Sequence, residues 1–157
     1  MEWKARLKRA GVYTIATGGF VGYFPVAPGT AGTFVGMGIV WLFRDVPFWG
    51  LLGASVVLIG LGVWASGQAC TLIGVPDSGH IVIDEIVGFM ITMIAIPVTG
   101  YYLFWGFVFF RILDVVKIPP GNYFDKKVKN GWGVVMDDVT AGIYGNILLH
   151  LMVRAQL

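Results

Sequence analysis

A single cysteine, Cys70, occurs in 157 residues. That excludes an internal disulfide and any metal site built from several thiolates. Charge is almost as scarce. Asp, Glu, Lys and Arg make up 13% of the chain, against about 25% in an ordinary soluble domain. Hydrophobic residues make up 57%, and the mean hydropathy is +0.78. A surface so poor in charge points to lipid. The formal net charge of +2 is too small to suggest a nucleic-acid partner. The length suits one domain, residues 1–157.

The few charges are clustered, and their placement sets a topology. Lys4, Arg6, Lys8 and Arg9 form a basic lead, read as a short helix at a membrane surface. A signal peptide begins in the same way. Here, however, the uncharged stretch from Ala10 to Phe43 is too long for an h-region, is broken by PVAPGT and lacks a small-residue cleavage site. The sequence therefore predicts that it is retained.

Apolar segments follow at 34–43, 47–65, 81–96, 101–113 and 134–153. They are separated by Arg44-Asp45, a polar stretch at 66–79, the Pro97–Gly100 turn and a charged loop at 117–133. The expectation is an all-α integral membrane bundle of about four to five apolar helices, some short or broken. Residues 11–24 either span or lie in the interface. The positive-inside rule puts the N-terminus and the lysine-rich loop in the cytoplasm. Every acidic residue except Asp45 then falls at or near a cytoplasmic end.

Two adjacent acidic pairs stand inside apolar stretches: Asp84-Glu85 and Asp137-Asp138. Two Asp at a helix centre would cost about 5–7 kcal/mol, roughly what a dozen apolar residues return. A 15-residue helix spans only about 22 Å of a core of about 30 Å. Interfacial carboxylates, open to water and lipid headgroups, satisfy both constraints.

With Asp114, these carboxylates form a hard-oxygen set suited to Mg²⁺. Arg111, Asp114 and Lys117 recur at spacing three and share a helix face. Small residues after each pair, Gly88 and then Ala141, Gly142 and Gly145, allow the helices to approach closely and bring the pairs together. Gly29, Thr30 and Gly32 lie in PVAPGTAGT, which two prolines and two glycines keep from being helical throughout. Spacing alone leaves two readings: a simple Pro/Gly break in a helix, or a loop feeding a helix N-terminus that offers amides to an anion.

Other phosphate-handling signatures are missing. There is no Walker GK[ST]. Cys70 lacks the spaced Arg of a cysteine phosphatase loop. Residues 137–140 are not the DxDx[TV] of aspartyl-phosphate enzymes. Ser78-Gly79-His80 matches one element of histidine-nucleophile lipid phosphatases without its companions, which leaves His80 only as a hydrogen-bond donor near the site. With no evident Ser or Cys nucleophile, direct attack by water is preferred.

PGTAGT, IDEIVG, FRILDVVKIPP followed by FD, and GVVMDDVTAG occur in that order over Pro25 to Gly145. Together they resemble the phosphatidylglycerophosphatase A family. One departure is Ile118, which precedes Pro119-Pro120 where Pro is expected directly after the lysine.

The resemblance implies an all-helical membrane protein that hydrolyses phosphatidylglycerophosphate to phosphatidylglycerol and phosphate with Mg²⁺, facing the cytoplasm. The motif positions carried over are Pro28, Gly29, Thr30, Gly32, Asp84, Glu85, Gly88, Arg111, Asp114, Lys117, Asp125, Asp137, Asp138 and Gly142. In the expected roles, Asp84, Glu85, Asp137 and Asp138 hold metal. Arg111 and Lys117, with amides around Thr30, Gly29 and Gly32, hold phosphate, and Asp114 or Asp138 acts as base. The competing expectation is a small ion-coupled transporter, which would place its carboxylates near the bilayer midplane.

Overall fold

Helix boundaries follow from local backbone chemistry. In the computed structural model, which describes residues 2–73 and 79–155, helix α2 (Pro28–Leu42) begins with Pro28 in its first turn. There the missing N–H costs nothing. Ala27 precedes it in the left-handed region, at φ 50°. The helix break predicted for PVAPGTAGT thus lies before Pro28, and Gly29 to Thr33 are helical. Thr99 caps α5 (Gly100–Val116) by accepting from the Tyr102 amide. Asn130 caps α7 (Gly131–Arg154) by accepting from the Trp132 and Gly133 amides. Such caps are worth about 1 kcal/mol each.

The other helices are α1 (Glu2–Ala16), α3 (Phe48–Ile73), α4 (Ile83–Thr92) and α6 (Gly121–Lys127), with a 3-10 turn at Val21–Tyr23. No strand occurs among the described residues, so the all-α expectation holds. The short basic lead is instead a helix running to Ala16. Helix α3 continues through the first half of the predicted polar turn, and residues 74–78, including Ser78, lie outside the described residues. Helix α6 sits inside the segment expected to be a loop.

The centre of the fold is α4, buried nearly all round. It packs against α7, α2 and α3 and touches α5. Phe89, Met90, Met93, Phe110 and Leu149 fill the space around it. Glycines set the α4–α7 distance. A Cβ on Gly142 would overlap the Gly88 carbonyl oxygen, and one on Gly88 would lie 2.8 Å from the Asp138 carbonyl oxygen. This close approach, expected from the small residues, places the two acidic pairs face to face.

Among the described residues, Phe48–Leu72 is the one helix long and apolar enough to cross a membrane by length and composition. The other predicted spans fall short for identifiable reasons. Helix α4 has 10 residues and α2 has 15, so neither reaches across about 30 Å of hydrocarbon. Helix α7 is longer but carries Asp137, Asp138 and Arg154. Large apolar side chains nevertheless remain exposed around the bundle, among them Leu42, Trp49, Val57, Phe104 and Leu151.

Candidate active site

The acidic pairs lie on two helices that face each other. Asp84 and Glu85 occupy the first turn of α4, where the positive end of the helix dipole favours negative charge. The Glu85 amide donates to Asp84 Oδ1 at 3.1 Å. Asp137 and Asp138 follow two turns into α7. Asp84, Asp137 and Asp138 are 7%, 5% and 4% exposed, rare values for carboxylates.

The carboxylates form two overlapping clusters. Oxygens of Asp84, Glu85 and Asp138 lie within 4.8 Å of one another, and so do oxygens of Asp114, Asp137 and Asp138. Asp138 belongs to both. Oε2 of Glu85 and Oδ2 of Asp138 are buried without a hydrogen-bond partner. An unsatisfied buried polar atom costs about 1–3 kcal/mol, more if charged. Clustered hard oxygens with two orphaned atoms fit a divalent cation, which would neutralise the repulsion and occupy the free lone pairs.

The cations expected to hold phosphate already have carboxylate partners. Arg111 Nη1 donates to Asp114 Oδ2 at 2.7 Å. Lys117 Nζ donates to Asp125 Oδ1 at 3.0 Å and, more closely, to Asp137 Oδ2. Lys117 ends α5 in the left-handed region, at φ 52°, a conformation that costs a non-glycine residue about 1–3 kcal/mol. It turns the chain toward α6, which carries Asp125. Burial works against the Lys117 ammonium, but its hydrogen bonds to Asp137 and Asp125 outweigh burial and hold its pKa well above the ordinary lysine value.

The phosphate-binding positions proposed on α2 separate. Gly29 abuts the carboxylate of Glu85, and a Cβ there would overlap Glu85 Oε1 and come within 3.4 Å of Arg111 Nη1. The Gly29 and Thr30 amides precede the first i→i−4 bond of α2, from Ala31 N–H to Ala27 O at 3.2 Å. Gly32 is buried one turn further on and packs on Val82.

A cavity of about 170 Å³ opens over the carboxylates. Its walls comprise Asp84, Glu85, Asp114, Asp137 and Asp138, with Lys117, Asp125, Lys129 and the backbone near Val128 and Gly133. Arg111 and the start of α2 lie beside Glu85, outside that wall. The sequence marks Lys129 only as one of the basic residues that place its loop in the cytoplasm, not as part of the site. His80, expected near the site, instead pairs through Nδ1 with the Gly22 carbonyl at 3.0 Å and stacks on Tyr23.

Comparison with known proteins identifies the family. The family model described as phosphatidylglycerophosphatase A matches residues 14–153. Phosphatidylglycerophosphatase A of Escherichia coli K12 is 36% identical over 152 residues, covering 95% of this chain and 88% of the relative. The Haemophilus influenzae protein of the same name is 35% identical over 147 residues, with 88% and 86% covered. A Bacteroides thetaiotaomicron protein named "Putative phosphatidylinositol-3-phosphatase" is 39% identical over 144 residues, with 86% and 89% covered. No solved structure matches. With its family model spanning most of the chain and its relatives aligned nearly end to end, this protein belongs to the phosphatidylglycerophosphatase A family and is a lipid phosphatase.

Proposed function

We propose that the protein hydrolyses phosphatidylglycerophosphate to phosphatidylglycerol and inorganic phosphate, with Mg²⁺, at the cytoplasmic face of the cell membrane. The observation that carries this reading is the meeting of Asp84, Glu85 and Asp138 around two buried, unpartnered carboxylate oxygens. Asp84, Glu85, Asp137 and Asp138 would hold the metal. When bound, Mg²⁺ supplies positive charge to the phosphoryl oxygens and favours deprotonation of water.

The chain's own residues do the rest. Arg111, tied to Asp114, and the Gly29 and Thr30 amides beside Glu85 present fixed donors to the terminal phosphate. Lys117 holds Asp137 in place through its bridge to Asp125. Asp138 or Asp114 takes a proton from the attacking water, whose oxygen bonds to phosphorus as the bond from phosphorus to the glycerol oxygen breaks. The leaving glycerol oxygen takes up a proton to become the hydroxyl of phosphatidylglycerol.

The bilayer holds the acyl chains in this reading. Helix α3 crosses it, the shorter helices are embedded or tilted beside it, and exposed apolar side chains such as Phe104 and Leu151 contact lipid. The basic residues orient the bundle with its carboxylates toward the cytoplasm.

The test is conversion of phosphatidylglycerophosphate by purified protein in detergent micelles, followed as lipid product and released phosphate. The unmodified protein is expected to yield both in equal amounts, and Asp84→Asn to yield little of either while remaining folded. Full turnover by Asp84→Asn would remove the metal-site assignment.

A further inference from the structure

The cavity carries one cation that the chemistry above does not use. Arg111 is bonded to Asp114, and Lys117 to Asp125 and Asp137. Lys129 also lines the cavity, and its Nζ donates to the backbone carbonyl of Asp125 at 2.6 Å. Among the described residues no carboxylate stands within ion-pair distance of it. Lys129 therefore forms no ion pair, and an ammonium has three donors, of which one is used here.

The backbone around Lys129 is fixed on both sides. The next residue, Asn130, caps α7 through the Trp132 and Gly133 amides. The preceding residue, Val128, packs its carbonyl so tightly on Gly133 that a Cβ there would overlap it. The Val128 amide in turn bonds the Phe124 carbonyl at 3.1 Å.

Charge is also ordered by depth. The carboxylates of Asp84 and Asp138 are buried, whereas Lys129 is exposed. A ligand entering the cavity thus meets a positive group at the mouth and the acidic, metal-fitting cluster below it. A single phosphate drawn to the bottom leaves Lys129 without an anion. A headgroup with a phosphomonoester at its tip and a second phosphate nearer the acyl chains supplies one to each end.

We propose that Lys129 is a specificity-determining residue that binds the phosphodiester linking headgroup to diacylglycerol. It thereby selects lipids carrying two phosphates over lipids with a terminal phosphate alone. This rests on the lipid-phosphatase reading above.

The experiment compares kcat/KM for dioleoyl phosphatidylglycerophosphate and dioleoyl phosphatidic acid. Both are presented with Mg²⁺ in the same mixed micelles to the unmodified protein, Lys129→Gln and Lys129→Arg. In Lys129→Gln the preference for the two-phosphate lipid is expected to fall about ten- to a hundredfold, the range of a lost charge-assisted hydrogen bond. The fall should lie mainly in KM, and Lys129→Arg should restore most of the preference. Equal losses on both lipids, or an unchanged ratio in Lys129→Gln, would overturn the role of Lys129. An unmodified protein that releases phosphate from neither lipid would overturn the lipid-phosphatase reading itself, a distinguishable failure.

Discussion

Asp138→Asn separates a carboxylate placed for chemistry from one placed for stability. Asp138 is shared by both acidic clusters and is 4% exposed, with Oδ2 unpartnered. At 4.8 Å, the upper limit of the separations within each cluster, and an effective dielectric constant of about 20, two unit negative charges repel by about 3.5 kcal/mol. Neutralising Asp138 in nearly the same shape therefore removes a repulsion, and its Oδ2 has no hydrogen-bond partner to lose.

The variant is expected to be as stable as the unmodified protein in EDTA, or more stable by about 1–3 kcal/mol, a fraction of the bare repulsion. Mg²⁺ should raise the melting temperature of the unmodified protein by mass action and leave that of the variant nearly unchanged. Phosphate release should fall about 10²–10⁴-fold. The assays are thermal melts in detergent with EDTA or Mg²⁺, alongside phosphate release. A variant that melts well below the unmodified protein in EDTA would show Asp138 to be a structural partner instead.

Gly142→Ala forces a methyl group against the Gly88 carbonyl. A loss of about 1–3 kcal/mol is expected from overpacking, with a drop in activity larger than the loss of folded protein explains, measured by melts and turnover on the same sample. Lys117→Met leaves Asp137 without its cation, and Lys117 is about a third exposed. The loss should therefore stay below the ~3–5 kcal/mol of a fully buried pair. Because the folded-state pKa of Lys117 is raised, its stabilising contribution is fully present below the unfolded-state value and is lost only as pH rises through the higher folded value. The difference in melting temperature between the unmodified protein and Lys117→Met should thus stay constant from about pH 6 to 9. Asn130→Ala removes the α7 cap and should cost about 1 kcal/mol in melts, while loosening the segment that carries Lys129.

Much of the site was legible because charge is costly in an apolar chain. Asp84-Glu85 and Asp137-Asp138 stood out for that reason, and Gly88 and Gly142 supplied a reason for them to meet. Helix α6 was hidden by PPG, NG and a lysine run, which favour a loop locally. It forms against α7, where Gly121 lies close to Asp137. The extension of α3 past Ala65 was obscured by Ser66 and Gly67, yet Gly67 is where Gly131 of α7 packs.

Spacing placed Arg111, Asp114 and Lys117 on one face, but it could not show that Lys117 turns away from Asp114 to Asp137 and Asp125. That depends on a left-handed residue and a helix outside the pattern. The position of Lys129 depends on the same tertiary contacts.

The metal dependence of the site is measured by phosphate release from phosphatidylglycerophosphate by the purified protein, first stripped with EDTA and then supplied with Mg²⁺. The site as described predicts negligible release after stripping and recovery on adding Mg²⁺. Turnover that persists undiminished in EDTA would contradict it.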